Sequence, residues 1–179
     1  MNSDSTVTDD QAAAPRVGVV LGSDSDAPLA EALIDELRAL GIAFEVRVLS
    51  AHRSPRLAAE YAATAAGRGI RVLIGIAGMA NHLAGALAAH SLLPVLGVPA
   101  AGGLMDGLDA LLSTVQMPPG IPVGALAVGR AGARNAAVLA GRILALGDPE
   151  LAARLAAARE HMTRRVEEAD RRIQETLRP

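Results

Sequence analysis

The sequence predicts an α/β fold in which a central parallel sheet is covered by helices on both faces. Five short apolar segments alternate along the chain with longer segments of helical periodicity. The apolar segments are hydrophobic at nearly every position, which is typical of parallel strands buried on both faces. Polar residues and Gly follow the first three segments. Because ligands bind beyond the carboxyl ends of such strands, these loops predict a ligand site on one edge of the sheet.

The first strand is predicted at residues 16–21, and a helix follows it. Ser25 or Asp26 is predicted to cap this helix, with Pro28 in its first turn and Gly41 at its end. One face of the helix is apolar, formed by Leu29, Leu33, Leu37 and Leu40.

The same alternation continues to residue 146, with right-handed crossovers expected between the strands. The later strands are predicted at residues 43–49, 71–76, 94–98 and 123–128. The later helices are predicted at residues 55–66, after 82, near 106–114 and within 129–146.

Residues 148–179 are predicted to form a long amphipathic helix. Apolar residues recur in steps of three and four, at Leu151, Leu155, Ala158, Met162, Val166, Ala169, Ile173 and Leu177. A helix of about 27 residues is roughly 40 Å long, which exceeds the width of a small domain. The helix either lies on its own domain and frays at its end, or contacts a neighbouring subunit. We favour the subunit contact.

The composition indicates one domain, predicted over residues 16–147, with a core of small aliphatic side chains. Of the 179 residues 51% are hydrophobic, yet the chain has one Tyr, one Phe and no Trp. Two aromatic residues are too few to form a surface on which successive nucleic acid bases could stack. The net charge of −2 provides no general attraction to nucleic acid or to an anionic membrane. We predict neither kind of partner.

The N-terminal residues 1–15 are polar and acidic, and we expect a disordered tail rather than a secretory signal. No apolar run reaches the roughly 18 residues of a membrane span. The chain has no Cys, which excludes disulfides, thiolate chemistry and Cys-based metal sites. The predicted location is the cytoplasm.

The loop GSDSD, residues 22–26, suits an anion because the start of a helix presents unpaired N–H groups. Ser23 and Ser25 add hydroxyl donors, and Asp26 can accept hydrogen bonds from ribose hydroxyls or an imidazole. Helix capping alone is the alternative explanation of these residues. The loop matches neither a GxGxxG nor a Walker pattern, which disfavours NAD and ATP binding.

The loops SAHRSP, residues 50–55, and AGMANHLAG, residues 77–85, each contain a His. His52 can act as an acid or base near neutral pH, and Arg53 offers a forked donor to phosphate or carboxylate. The alternative is an ordinary surface turn. His82, taken alone, is more readily a packed or hydrogen-bonded residue than a catalytic one. None of the four His is spaced with carboxylates as metal ligands are, so no metal site is predicted.

Together these loops resemble the class I N5-carboxyaminoimidazole ribonucleotide mutase family, also described as the phosphoribosylaminoimidazole carboxylase catalytic subunit family. The resemblance runs from about residue 16 to about residue 155. Its motifs are, in order, GSDSD, SAHRSP, AGMANHLAG, LPVLGVP and LLSTVQMPPGIPVGALAVG. It implies a flavodoxin-like three-layer α/β/α sandwich and assembly as a homo-octamer.

The activity implied is conversion of N5-carboxyaminoimidazole ribonucleotide to 4-carboxyaminoimidazole ribonucleotide in de novo purine biosynthesis, without ATP, biotin or metal. The resemblance makes His52 the catalytic acid and base, and places His82 at the carboxylate end of the pocket. It assigns substrate binding to Ser23, Ser25, Asp26, Ser50, Ala51, Arg53, Gly78, Met79, Ala80 and Leu83. A His that gives and later takes a proton suits a reaction that loses and regains carbon dioxide.

The third loop departs from the family pattern, which usually reads AGAGMAAHLPG or AGAGGAAHLPG. Here Ile76 replaces a Gly, Asn81 an Ala and Ala84 a Pro. Ile76 is expected to add bulk near the rim and Asn81 a polar group beside His82, and both to alter the carbon dioxide pocket. Two alternatives remain open: a class II carboxylase that uses free carbon dioxide, and a non-catalytic flavodoxin-like nucleotide-binding module.

Overall fold

A computed structural model describes residues 14–178, and its centre is a sheet of five parallel strands. The strands are β1 Val17–Leu21, β2 Phe44–Val48, β3 Val72–Ala77, β4 Val95–Pro99 and β5 Gly124–Ala125. Their order across the sheet is β2-β1-β3-β4-β5, which is the flavodoxin-like order. The predicted parallel sheet is confirmed.

Helices cover the sheet on both faces, which confirms the three-layer architecture. They are α1 Ala27–Ala39, α2 Pro55–Ala65, α3 Leu83–Ala89, α4 Leu108–Val115, α5 Arg130–Ala145 and α6 Pro149–Thr176. One core cluster lies between the sheet and helices α1 and α5, and a second lies between the sheet and helices α2 and α3. Adjacent residues of β1 show the division, because Val19 packs in the first cluster and Val20 in the second.

The start of α1 differs from the prediction. Ser23, rather than Ser25 or Asp26, caps a single 3-10 turn, Asp24–Asp26, that precedes α1. Asp26 occupies the N-cap position of α1, but its side chain turns back to the N–H of Ser23 and makes no capping bond to the helix. At the other end Gly41, with φ of 64°, follows the helix in the left-handed conformation that Gly adopts readily, as predicted.

Strand β5 is shorter than predicted, with only Gly124–Ala125 in regular pairing. The chain still follows β4, because the N–H groups of Leu126 and Gly129 donate to the carbonyls of Gly97 and Pro99. These two carbonyls face β5, but Pro99 has no N–H to donate in return. Regular pairing therefore stops at Ala125, the third of the six predicted residues.

Helix α6 has 28 residues, so the predicted long helix is confirmed. Leu151 is fully buried and Leu155 packs partly against the first core cluster. Further along the same face Met162 is 58% exposed, Val166 69% and Ile173 57%. Within residues 14–178, the helix thus lies on its own domain only at its first turns.

The predicted disordered tail lies outside the described residues, apart from Ala14 and Pro15, which belong to no helix or strand. Among residues 14–178, none of the helices is both long enough and apolar enough to span a membrane.

Candidate active site

The loops that follow the first four strands enclose a cavity of about 810 Å³ at the carboxyl edge of the sheet. This volume is in the range of small-molecule sites. The cavity brings together the side chains and backbone of His52, Ser23, Ser25, Asp26, Ser50, Ala51, Arg53, Gly78, Met79, Ala80, His82 and Leu83. These are all of the site residues expected from the sequence, now placed around one space.

Several lining residues were not predicted. They are Gly22, Pro28, Leu29, Ala77, Ala100, Ala101, Gly102 and Gly103. The loop after β4 was visible in the sequence as a Gly-rich turn. Because β4 is parallel to its neighbours, its carboxyl end lies on the same edge, and this rule would have included the loop in the site.

In the first loop, Asp26 is 8% exposed and its carboxylate accepts a hydrogen bond of 3.0 Å from the N–H of Ser23. Burial raises the pKa of Asp26 above its ordinary value of 3.8, and the Ser23 N–H and the Arg53 charge act in the opposite direction. Asp24 is exposed, and hydrogen bonds from the Ser23 hydroxyl and the Ser25 N–H lower its pKa. The loop thus places one buried and one exposed carboxyl side by side.

The second loop is held by Ser50. Its hydroxyl oxygen accepts hydrogen bonds from the N–H groups of His52, at 3.3 Å, and Arg53, at 3.1 Å. The backbone of Ser50 is itself fixed by Ser54, whose hydroxyl accepts from the Ser50 N–H at 2.9 Å. These bonds fix the backbone of a short turn before α2, from which the side chains of His52 and Arg53 extend.

His52 and His82 contact each other directly, although 30 positions separate them in the sequence. The Nε2 atom of His52 lies 2.8 Å from Nδ1 of His82, and the two rings are arranged edge to face at 81°. In such a bond one nitrogen donates a proton and the other accepts it. The two rings can therefore share one proton between Nε2 of His52 and Nδ1 of His82. If both of these nitrogens carried a proton, the two N–H groups would repel each other.

Two expectations about the third loop are wrong. Ile76 and Asn81 are both fully buried, and neither is among the residues that line the cavity. Ile76 packs in the first core cluster because alternate residues of β3 face opposite sides of the sheet. The side chain of Asn81 points to Thr114 rather than to the space beside His82. Neither residue alters the wall of the cavity by direct contact.

The loop after β3 also has an uncommon backbone conformation. Met79 has φ of 54°, in the left-handed region that is unfavourable for residues other than Gly. Its side chain is 70% exposed at the edge of the cavity. Among residues 14–178, no group of three or more His, Asp or Glu side chains is arranged to hold a metal ion.

Comparison with known proteins identifies relatives over most of the chain. The family model described as AIR carboxylase matches residues 16–165. N5-carboxyaminoimidazole ribonucleotide mutase of Vibrio parahaemolyticus is 48% identical over 151 residues, covering 84% of this chain and 94% of that protein. The enzyme of the same name from Pyrococcus horikoshii is 46% identical over 161 residues, covering 90% of each chain.

Among solved structures, PurE from Treponema denticola has a TM-score of 0.77 and 29% sequence identity, covering 92% of this chain and 99% of that one. Similarity in sequence and in structure thus extends over the whole sheet and all four loops of the cavity. The family resemblance inferred from the loop motifs is confirmed. The chain belongs to the AIR carboxylase family.

Proposed function

We propose that this protein converts N5-carboxyaminoimidazole ribonucleotide to 4-carboxyaminoimidazole ribonucleotide in purine biosynthesis, as the names of its curated relatives indicate. The observation that carries the proposal is the cavity itself. It combines Ser hydroxyls and an Arg that suit a phosphate with a pair of His residues that suit proton transfer.

The first two loops provide the groups that bind the ribonucleotide. Ser23, Ser25 and Ser50 present hydroxyls to the cavity, and Arg53 provides a guanidinium that can donate two parallel bonds to phosphate. Asp26 is suited to accept hydrogen bonds from the sugar or the imidazole ring. The Arg53 guanidinium already donates to the Gly22 carbonyl at 3.1 Å, which keeps it beside the first loop.

The reaction needs one proton delivered and one removed. Protonation of the exocyclic nitrogen breaks its bond to the carboxylate carbon and releases carbon dioxide. Carbon C4 of the imidazole then attacks this carbon dioxide, and the C4 proton leaves to a base. His52 can serve in both steps. It donates one proton to the exocyclic nitrogen and later accepts one from C4, so the ring ends the reaction in its starting protonation state.

The contact with His82 extends this role. A proton given to the substrate by one ring can be replaced from the other across the 2.8 Å bond. The adjoining wall carries only methyl side chains or none. It is formed by Ala77, Gly78, Ala80, Ala100 and Ala101. Such a surface offers carbon dioxide no nucleophile, and a closed site would limit its loss to solvent.

The direct test is an assay of the purified protein with each substrate. We expect conversion of N5-carboxyaminoimidazole ribonucleotide without added bicarbonate. Activity that needs bicarbonate and unsubstituted aminoimidazole ribonucleotide would instead identify a carboxylase. Binding of ribonucleotide without turnover of either substrate would identify a non-catalytic module.

The assigned role of His52 predicts that His52→Ala lowers kcat by about 10²–10⁴-fold, because general acid–base catalysis contributes on that order. Affinity for aminoimidazole ribonucleotide, measured by calorimetry, should change only a few-fold, since the side chains that bind the phosphate remain. His90→Ala is the control, because His90 is an exposed residue at the end of α3, outside the cavity lining. Wild-type turnover by His52→Ala would contradict the assignment.

We also propose that the protein assembles as a homo-octamer through α6 and works in the cytoplasm. The exposed apolar face of α6 beyond Leu155 supports the assembly, because covering exposed apolar surface with another subunit removes it from water and is favourable. Light scattering should give a mass near eight times the 18.2 kDa of one chain. A monomer at micromolar concentration would contradict the assembly.

A further inference from the structure

Asn81 is the exception in the loop that carries His82. Of residues 78–83, all others line the cavity, whereas Asn81 is turned into the protein and is 0% exposed. Its Nδ2 atom donates to the hydroxyl of Thr114 at 2.9 Å and lies 3.5 Å from the carbonyl of Val98. Thr114 is 1% exposed and donates its own proton to the carbonyl of Ala110 at 2.7 Å. The Thr114 oxygen is therefore available as an acceptor for Asn81.

The backbone of Asn81 is held from the same place. Its N–H donates to the hydroxyl oxygen of Ser113 at 2.9 Å, and Ser113 in turn donates to the carbonyl of Asp109 at 2.7 Å. Ser113 and Thr114 are consecutive residues near the end of α4. Helix α4 thus binds both the backbone and the side chain of Asn81 through two adjacent hydroxyls.

This attachment acts directly on the neighbouring residue, His82. The His82 N–H donates to the carbonyl of Ala80 at 2.8 Å, and its carbonyl accepts the first hydrogen bond of α3 from Ala86. The loop also contains Met79 in its left-handed conformation, which is unfavourable for a residue other than Gly and needs support from surrounding contacts. Any movement of Asn81 would shift the His82 ring relative to His52.

We propose that Asn81 and Thr114 form a buried positioning pair that holds His82 at hydrogen-bonding distance from His52. The proposal rests on the proposed function, because it assigns the pair a role in that reaction. Neither residue lines the cavity, so they act on the alignment of the two rings and leave the binding groups of the first two loops unchanged. A displacement of about 1 Å is enough to impair a catalytic contact strongly.

The kinetic test compares Asn81→Ala, Thr114→Val and the double variant. The net contribution of one hydrogen bond, about 0.5–1.5 kcal/mol, corresponds to roughly a 2- to 13-fold effect. We expect each single variant to lower kcat by about 3- to 10-fold with KM within about twofold of wild type. The double variant should lose no more kcat than the more impaired single variant, because both changes remove the same bond.

Thr114→Ser is the matched control, since it keeps the hydroxyl that accepts from Asn81 and should keep kcat within about twofold. A purely structural role would lower the Tm of the variants while leaving kcat of the folded enzyme unchanged, and this result would overturn the proposal. Multiplied losses in the double variant, or an equal loss in Thr114→Ser and Thr114→Val, would also overturn it.

Crystal structures of the same variants separate this proposal from the assignment of the reaction. We expect the His52–His82 contact to lengthen beyond 3.5 Å in Asn81→Ala and Thr114→Val, and to persist in Thr114→Ser. An unchanged contact in Asn81→Ala would overturn the positioning role. If the wild-type protein has no mutase activity but the contact responds in this way, the proposed function fails while the positioning role stands.

Discussion

The side chain of Arg53 joins two loops that lie far apart in the sequence. Its backbone N–H is bound by the hydroxyl of Ser50, and its guanidinium donates to the carbonyl of Gly22 at 3.1 Å. The backbone is thus fixed while the charged group remains at the exposed surface of the cavity. A residue held in this way is prepared to bind an anion at the junction of the two loops.

If Arg53 binds the substrate phosphate, Arg53→Ala should raise KM by about tenfold or more and lower kcat much less, because hydrogen bonds to charged groups contribute about 1.5–3 kcal/mol. Arg53→Lys should give an intermediate KM, since Lys keeps the charge but not the planar fork. Steady-state kinetics with N5-carboxyaminoimidazole ribonucleotide would measure both.

Arg56→Ala is the control for these variants. Arg56 is an exposed residue in the first turn of α2 and is not among the residues that line the cavity. This change removes the same charge, so it separates phosphate binding from a general electrostatic effect. An unchanged KM in Arg53→Ala would show that the phosphate lies elsewhere.

At the scale of single elements, α6 is attached to the domain mainly by its N-terminus. Asp148 caps the helix, because its carboxylate accepts from the N–H of Leu151 at 3.0 Å, and it also pairs with Arg16 at 2.6 Å. Arg154 donates to the carbonyl of Leu40 at 2.9 Å and ties the second turn to the end of α1. These bonds fix the direction in which the exposed remainder of the helix leaves the domain.

The attachment of α6 should depend on pH. The Leu151 N–H and then Arg16 lower the pKa of Asp148 below its ordinary value of 3.8. A carboxyl whose pKa is lower in the folded state stabilises that state above pH 3.8, and this stabilisation is lost as the pH falls through the folded pKa. The Tm of Asp148→Asn should therefore be below that of wild type at pH 7, and the difference should shrink below pH 3.8.

Two further variants distinguish the contributions at this position. Asp148→Ala should have a lower Tm than Asp148→Asn at pH 7, because Asn can still cap the helix. Glu167→Gln removes the same charge from an exposed part of α6 and should have a smaller effect. Thermal unfolding followed by circular dichroism would measure each difference, and a gap that widens in acid would contradict the assigned role of Asp148.

At the scale of the whole molecule, α6 carries an exposed apolar face, formed by Met162, Val166 and Ile173, on an otherwise charged helix. If this face lies between subunits, Val166→Glu combined with Ile173→Glu should reduce the mass measured by light scattering, because burying unpaired charges is unfavourable. Far-UV circular dichroism should remain close to that of wild type, since both side chains are exposed in one chain.

Thr163→Glu provides the control for this change. Thr163 is exposed and lies about a quarter turn of helix away from Met162, so a charge there falls beside the apolar face rather than on it. We expect this variant to keep the wild-type mass. An unchanged mass in the double variant would exclude the apolar face of α6 as the subunit contact.

The sequence by itself determined the architecture and the edge of the sheet at which the cavity lies. Apolar strands that alternate with helices require parallel pairing, and parallel pairing brings the loops after the strands to one edge. The motifs in those loops then indicated the family and the lining residues of the first three loops that the resemblance names, but not the loop after β4. The apolar face of α6 could likewise be predicted, because helical periodicity depends only on the order of residues.

The tertiary structure alone decided which atoms meet within that frame. The bond between His52 and His82 joins two loops whose distance is set by packing, and no local pattern encodes it. The inward turn of Asn81 depends on two hydroxyls of α4, and the short β5 depends on Pro99 in the neighbouring strand. Periodicity reports the face on which a side chain lies, whereas contacts between distant segments depend on the packing of the folded chain.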